Sequence, residues 1–274
     1  MRTTGMIWSR AGLAVVMAVV LCTGASAADK DAAKSAAKDS KKSTAESVID
    51  GFVKAIQARK DLDDTKRQAV LALIETQRRS EDSRDATITD ALSSLSADFR
   101  AAMHALAEEE NDKAVVALEK LSKSPDEHLA AEATFYLAKA HMMDEKFEKA
   151  VPVLKRARGQ FAGKTLHDGE ALFLAGSAEA RLLHRKEAVK LLLKYVNDYE
   201  TTAPERLYVG AFRQLEELNG LKKGSLVDVQ DRMDFSRRRL ALERTADRTR
   251  TEQDNIIAML DKLIEEAEKQ EGAT

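Results

Sequence analysis

The stretch FYLAKAHMMDEKFEKAVPVL, residues Phe135 to Leu154, indicates the fold of this 274-residue chain. Apolar residues recur at helical spacing on both sides of a polar run, Asp144 to Lys146, which predicts two helices joined by a short turn. A small residue lies at the centre of each half, Ala138 in the first and Ala150 in the second. Because antiparallel helices approach closely only where side chains are small, we expect these alanines to lie at the contact between the two helices.

The same pattern recurs along the chain. In each complete copy a small residue is followed twelve residues later by an alanine and four residues after that by a leucine. Successive copies are 36, 38 and 34 residues apart, and self-similarity at such a period is typical of a helical repeat array. A four-helix bundle with alanines recurring by chance is the alternative. The copies are Ala101-Ala102 with Ala114 and Leu118, Leu137-Ala138 with Ala150 and Leu154, Ala175-Gly176 with Ala188 and Leu192, and Val209-Gly210, whose second helix is lost at Asn219-Gly220.

Residues 95 to 218 resemble the tetratricopeptide repeat (TPR) family, including TPR proteins of bacterial envelopes, and the family's period is 34 residues. The chain departs from the family pattern at Thr134, where Trp or Leu is usual, and at Glu179, in a slot that is usually apolar. The resemblance implies a solenoid of stacked helix pairs. The best unit is AEATFYLAKAHMMDEKFEKAVPVLKRA, Ala131 to Ala157, which matches the family at Leu137, Ala138, Phe147, Ala150, Leu154 and Ala157.

Amphipathic helices are expected on both sides of the repeats. Residues 44–94 are predicted to form N-terminal helices, and a third helix beginning near Asp85 is expected to carry Ile88, Leu92, Leu95 and Phe99 on one stripe. Residues 221–274 are predicted to form C-terminal helices, one over 226–242 and a last one from Asn255 to Gln270. The predicted fold class is therefore all-α: a TPR-like helix-turn-helix solenoid over residues 95–220, flanked by N-terminal and C-terminal amphipathic helices.

The first 27 residues have the three parts of a secretory signal peptide. The apolar core of twelve residues is shorter than the roughly 20 needed to span a bilayer, although an uncleaved anchor is an alternative. Lipidation at Cys22 is disfavoured, because Leu21 stands where bacterial lipoprotein signals have a small residue. Residues 28–43 contain no large apolar side chain and are predicted to be a disordered tether. The three parts are Arg2 and Arg10, Ala11 to Cys22, and the cleavage site Ala25-Ser26-Ala27.

Composition argues against several partner classes. Removing Arg2 and Arg10 with the signal leaves 42 basic against 46 acidic residues, a formal charge of −4. A weakly acidic chain is a poor ligand for nucleic acid or anionic lipid. Cleavage also removes the only cysteine, so the mature chain suits an oxidising compartment. We therefore expect a periplasmic or secreted protein of the cell envelope, with no membrane span after signal cleavage.

Motifs of catalysis are missing from the sequence. HExxH, GxSxG and Walker loops do not occur, and the five histidines do not have metal-ligand spacing, so we predict a protein that is not an enzyme and has no metal or cofactor. The run Glu108 to Glu110 is expected to be a solvated turn. Asp168 is expected to cap the helix that follows His167. The run Arg237 to Arg239 is expected to pair with acidic residues of its own helix.

The resemblance also implies a partner groove. In TPR arrays the first helix of each pair lines a concave groove, and the fifth position of each unit tends to point into it. With neighbouring positions, these side chains would form an apolar trough suited to a helix or an extended peptide. The alternative is that the chain fills the groove itself, with its 226–242 helix or an N-terminal helix. The fifth positions are Phe99, Phe135, Phe173 and Leu207, and the neighbours are Met103, Leu106, Met142 and Met143.

The predicted function is therefore an exported, non-catalytic scaffold that binds a protein or peptide partner of unknown identity. A structural envelope protein that self-associates through its terminal helices is the alternative.

Overall fold

The computed structural model describes residues 45–80, 82–200, 202–244 and 247–271, so the predicted signal peptide and tether lie outside the described residues. Within this part the chain forms twelve α-helices, a 3-10 turn at Arg84–Ala86 and no strand, which confirms the all-α prediction. None of these helices has the length and apolar character needed to cross a bilayer. The helices are α1 Ala45–Ala58, α2 Asp64–Arg78, α3 Thr87–Leu95, α4 Ala97–Ala107, α5 Asn111–Leu121, α6 Glu127–Met143, α7 Phe147–Gly159, α8 Asp168–Arg181, α9 Arg185–Tyr199, α10 Glu205–Gly220, α11 Leu226–Ala241 and α12 Asp247–Glu271.

Consecutive helices stack in pairs. Helix α4 packs on α5, α6 on α7 and α8 on α9, and each second helix also packs on the first helix of the next pair. Ala138 and Ala150 are both 0% exposed. A Cβ atom built on Gly176 would lie 2.7 Å from Cγ of Leu192, closer than carbon atoms pack, so glycine is required where α8 meets α9. Small residues therefore set the distance between paired helices, as the sequence pattern predicted.

The turns that join the paired helices share one backbone geometry. In each turn one residue has a left-handed φ, and the amide of the next residue donates to a carbonyl five residues earlier, which is the Schellman cap. The turn between α11 and α12 has the same geometry, so the C-terminal helices form a hairpin that closes in the way the repeat pairs do. The left-handed residues are Glu109 (φ 59°), Glu145 (54°), Leu183 (63°) and, in the C-terminal hairpin, Glu243 (56°).

The N-terminal helices α1 to α3 share one apolar core with the first repeat helices. Phe52, Ile74 and Leu92 are each 1% exposed and belong to the same cluster as Phe99. The prediction of one helix carrying Ile88 to Phe99 is wrong, because α3 ends at Leu95 and α4 starts at Ala97. Ser96 causes the break: its hydroxyl accepts the backbone N–H of Phe99 at 3.2 Å and caps α4.

The last helix begins at Asp247, earlier than the predicted start at Asn255. Thr249 explains the difference, since it is fully buried and forms two hydrogen bonds. Its hydroxyl donates to the carbonyl of Arg244 at 2.7 Å and accepts from Nε of Arg239 at 2.8 Å. Polar side chains thus hold the first turns of α12, and apolar spacing alone could not reveal them.

Overpacking tests the role of the small residues. We expect Ala138→Leu and Ala150→Leu each to lower the free energy of unfolding by ~1–3 kcal/mol, because neither site has room for added methylenes. Urea unfolding followed by circular dichroism measures this. Ala130 is 2% exposed and therefore unsuitable as a control. Ala101, exposed on α4, is the matched control, and Ala101→Leu should have little effect. Unchanged stability in both Ala138 and Ala150 variants would contradict the close helix approach.

Candidate functional site

The predicted groove residues differ widely in exposure. A side chain without accessible surface cannot contact a partner unless whatever covers it is displaced. Whether the first two pairs offer a groove therefore depends on what covers their phenylalanines. Phe99 and Phe135 are 0% exposed, Met103, Met142, Phe173 and Leu207 are half-buried, and Met143 is 53% exposed.

An aromatic cluster surrounds the two buried phenylalanines. The ring of Tyr136 lies 5.2 Å from the ring of Phe135 and 6.2 Å from that of Phe99, both edge-on. The imidazole of His167 stacks on Phe135 at 4.2 Å between centroids, with the planes 8° apart. These contacts tie α4, α6 and the start of α8 together through aromatic rings, whose pairing adds stability beyond burial alone.

The N-terminal helices cover the same region. Thr89 of α3 lies with its hydroxyl 3.3 Å from the hydroxyl of Tyr136, and Phe52 of α1 packs edge-on at 5.0 Å against His128 of α6. The chain therefore places its own N-terminal helices, rather than the 226–242 segment, against the first helix of the second pair.

A buried carboxylate holds this cover in place. Glu132 of α6 is 0% exposed. Its Oε2 accepts a hydrogen bond from the hydroxyl of Thr89 at 2.9 Å and lies 3.4 Å from Nε2 of His167. Its Oε1 accepts from the hydroxyl of Thr165 at 2.6 Å. One carboxylate thus joins the N-terminal helices, the second pair and the segment that leads into α8.

Glu132 and His167 stabilise each other's charge. Burial alone would raise the pKa of Glu132, but the attraction of His167 and hydrogen bonds from His167, Thr165 and Thr89 hold that pKa below its ordinary value. Burial alone would lower the pKa of His167, yet Glu132 raises it above its ordinary value. Burial, followed by the charge of Glu132, raises the pKa of Tyr136, so its phenol keeps its proton. The geometry is that of a buried ion pair with satisfied oxygens.

The Glu132 cluster is closed to substrates. Its carboxylate has no accessible surface, and both oxygens already accept hydrogen bonds from protein donors.

The expectation that Asp168 caps α8 is wrong. His167 occupies the N-cap position without a side-chain cap, and Asp168 accepts the N–H of Gly163 at 2.7 Å. One signal could have revealed the cluster, since Glu132 is the only charged residue between Leu129 and Ala138. In the described part of the chain, no group of three or more His, Cys, Asp or Glu could hold a metal.

The third and fourth units are less covered. Phe173 of α8 is half-buried, with its ring 5.6 Å from that of Tyr195. A Cβ atom on Gly210 of α10 would lie 3.6 Å from Phe173, so the two helices are in close contact there. Leu207 packs at the edge of the same apolar cluster.

Helix α10 corresponds to the first helix of a repeat pair, but no described helix takes the place of the second. It packs on α8 and α9, and the chain then continues into α11 instead of folding back along α10. On its outer face Val209 is 40% and Phe212 38% exposed. The ring of Tyr208 packs edge-on against that of Phe212 at 5.0 Å. The array therefore ends in an apolar face that no described helix pairs with.

Arginines dock the C-terminal hairpin on the turn side of the array. Arg238 is 5% exposed, lies 5.1 Å from the ring of Phe147 and donates to the carbonyl of Arg181. Arg248 donates to the carbonyl of Leu182 at 2.9 Å. Carbonyls at the C-terminal end of α8 lack helical partners and carry partial negative charge, so two cations are well placed there.

Ion pairs extend this docking to the second pair. Arg239 donates to Glu148 of α7 at 2.7 Å, and Arg237 reaches Glu145 in the turn before α7 at 3.4 Å. Arg237 also lies 3.7 Å from Asp234 of its own helix. The expectation of pairing within one helix is confirmed for Arg237 and Asp234 but is incomplete, because a sequence does not show the acidic residues of the second pair that the hairpin meets.

Comparisons with known proteins give little support for a family. No family model and no curated protein matches the chain. Among solved structures, the chain is similar to TPR-like repeats assigned to a Podosopora anserina kinesin light chain, at 16% identity, covering 62% of this chain and 97% of that one, with a TM-score of 0.39. The helix-pair architecture is given by the described helices themselves.

Truncating Phe135 tests whether the aromatic cluster is structural. We expect Phe135→Ala to lower the free energy of unfolding by ~3–5 kcal/mol, as buried Phe-to-Ala changes do. Met143→Ala, at an exposed position on the same helix, is the control and should change stability little. Thermal and urea melts measure both. A Phe135→Ala variant as stable as the Met143→Ala variant would mean that Phe135 is not buried in solution.

The buried ion pair predicts a specific pH dependence. A lowered Glu132 pKa gives stability that is present above the ordinary value of 4.5 and is lost as the pH falls through the folded pKa. A raised His167 pKa gives stability that is complete below the ordinary value of 6.5 and is lost as the pH rises through the folded pKa. Urea melts from acidic to alkaline pH should therefore show a fall on the alkaline side that disappears in Glu132→Gln and in His167→Gln. Parallel pH profiles in wild type and both variants would refute the pair.

Proposed function

We propose that this chain is an exported, non-catalytic interaction scaffold that binds a helix of a partner protein at the open end of its repeat array. The proposal rests on the exposed outer face of α10. Every other first helix of a pair is matched by a second helix, whereas α10 presents Val209 and Phe212 to solvent.

The first two pairs are poorer candidates for the predicted groove. Phe99 and Phe135 have no accessible surface. Phe99 shares its apolar cluster with α1 to α3, whose removal would expose many fully buried side chains, and Phe135 belongs to the next cluster and is stacked on by His167. Such an exposure costs about 1.5–3 kcal/mol for each large side chain, more than most partners could offset. A partner is therefore better accommodated near Phe173, Leu207 and the end of the array.

A helix is the partner element that fits this end. Within the array each first helix is covered by an antiparallel second helix, and α10 lacks only that element. The edge-on pair of Tyr208 and Phe212 supplies a rigid aromatic contact of the kind that dominates binding interfaces. An amphipathic helix with apolar residues three and four apart would complete the fourth pair.

Export is supported by the sequence of residues 1–27. Their positive start, apolar core and small-residue cleavage site fit a signal peptide and would place the mature chain in the periplasm or outside the cell. The alternative function, a structural protein that self-associates through its terminal helices, is favoured by a separate apolar surface on α11 and α12.

Site-specific photo-crosslinking in living cells tests the proposal. We expect a photoreactive residue at Phe212 to crosslink to another protein, with the crosslinked peptide lying in an amphipathic helix. The same residue at Val116, which is 70% exposed on α5, should give no such product and is the control. Val209→Glu should abolish the Phe212 crosslink without shifting the melting curve. Crosslinking that is equal at both sites, or absent at Phe212, would count against the α10 surface.

N-terminal sequencing of the recovered protein tests export separately. We expect Ala28 as the first residue. An intact Met1 would argue for an uncleaved anchor and would not change the interpretation of the crosslinking at α10.

A further inference from the structure

The C-terminal hairpin carries large apolar side chains that face solvent. They recur at seven-residue spacing on both helices, which is the spacing by which packed helices bring side chains onto one seam. Isolated exposed apolar residues are ordinary, but a set this regular marks a contact surface. The exposed residues are Leu226 (69%), Met233 (53%) and Leu240 (44%) on α11, and Ile257 (59%) and Ile264 (55%) on α12.

These side chains share the outer face of the hairpin. Phe235 of α11 and Arg248 of α12 lie on the inner face, where Arg248 packs 5.0 Å from the ring of Phe235 and reaches the carbonyl of Leu182. Val229 of α11 and Ile256 of α12 are buried. At 100° per residue, Met233 and Ile257 both project away from the array, on the side opposite to Phe235 and Arg248.

Charge is polarised along this outer face. Near the turn, Arg250 precedes Ile257 by seven residues and is exposed on the same stripe. Arg237, 60% exposed, lies between Met233 and Leu240. At the far end, Asp261 and Glu268 each follow an exposed isoleucine by four residues and are themselves exposed. Asp254, also exposed, lies between Arg250 and Ile257, so the face is apolar along its length, carries two arginines and an aspartate at the turn end, and is acidic at the far end.

We propose that this face binds the same face of a second copy of the chain, with the two hairpins antiparallel. The arrangement forms a four-helix contact that covers the exposed stripes of both copies. A two-fold axis across the helices places the acidic end of each copy against Arg237 and Arg250 of the other, which is favourable. A parallel arrangement would place the two acidic ends together and is disfavoured.

Other occupants fit the face less well. The carboxylates at the far end oppose an anionic lipid surface, and a partner helix with a single apolar stripe would cover one of the two stripes. The surface is separate from the outer face of α10, so the dimer and the partner site can be tested independently.

Analytical ultracentrifugation of the purified full chain tests the proposal. We expect a concentration-dependent dimer whose dissociation constant rises at least about 100-fold in the double variant Met233→Glu with Ile257→Glu, because charge is carried into an apolar contact. Val116→Glu, at an exposed apolar site remote in sequence from the hairpin, is the control and should leave the dimer unchanged. Since the substituted residues are exposed, circular dichroism should show the same helix content in all three proteins.

Charge reversal distinguishes a second copy in this orientation from any other occupant. Arg250→Glu makes the outer face acidic at both ends, and Asp261→Lys with Glu268→Lys makes it basic at both ends. Arg237 is left intact because it also contacts Glu145. Each variant alone should dimerise at least about tenfold more weakly, and an equimolar mixture should restore dimers of one copy of each. The proposal would be overturned by a monomeric wild-type chain, by a dimer that the hairpin variants do not weaken, or by a mixture that fails to restore association. Binding of the wild-type face to anionic vesicles in place of a second copy would also overturn it.

Discussion

Helix α6 is buried over most of its surface, and the arrangement of its neighbours follows from this. Eleven of its seventeen residues are buried, so most of its faces must be covered by other elements. Helix α5 covers one side and α7 another, with Ala138 permitting the close approach. The remaining side requires further elements, and the chain supplies them from α3 and from the segment before α8. The Glu132 carboxylate lies on that side, where hydroxyls and an imidazole replace the water it has lost.

The sequence predicted the structure correctly where a contact depends on the size of a single residue. The spacing of Ala138 and Ala150 predicted the paired helices because a close approach needs small residues whatever else surrounds them. The burial of Phe135 was left open, because the ring that stacks on it, His167, lies in the segment before α8, whose position no local pattern encodes. The left-handed turn residues were invisible for a similar reason: Glu145 and Leu183 occupy positions where glycine usually signals the conformation. Asp168 was misassigned because a cap and a loop contact use the same side chain.

The C-terminal hairpin was the least predictable part. Arginine runs ordinarily read as solvated charge, yet Arg238 is nearly inaccessible and donates to a helix carbonyl. Burial is tolerable because guanidinium groups are weakly hydrated and the exposed carbonyls at the end of α8 attract them. Two faces of one hairpin thus have opposite chemistry. The inner face combines Phe235 with arginines that fit the turns it meets, whereas the outer face has a regular series of exposed apolar side chains. The same asymmetry explains why apolar periodicity located α11 but misplaced the start of α12.

The sequence separations of these docking contacts bear on the order in which the molecule forms. Contacts within the array join neighbouring helices and can form as soon as each pair is complete, whereas Arg239 meets Glu148 across 91 residues and Arg237 meets Glu145 across 92. During synthesis from the N-terminus, the turns that receive the hairpin exist before the hairpin is made. Docking is therefore a terminal step of folding, and a truncated or unfinished chain would have repeats without their closing element. The apolar outer face is assembled only on chains whose array has already formed.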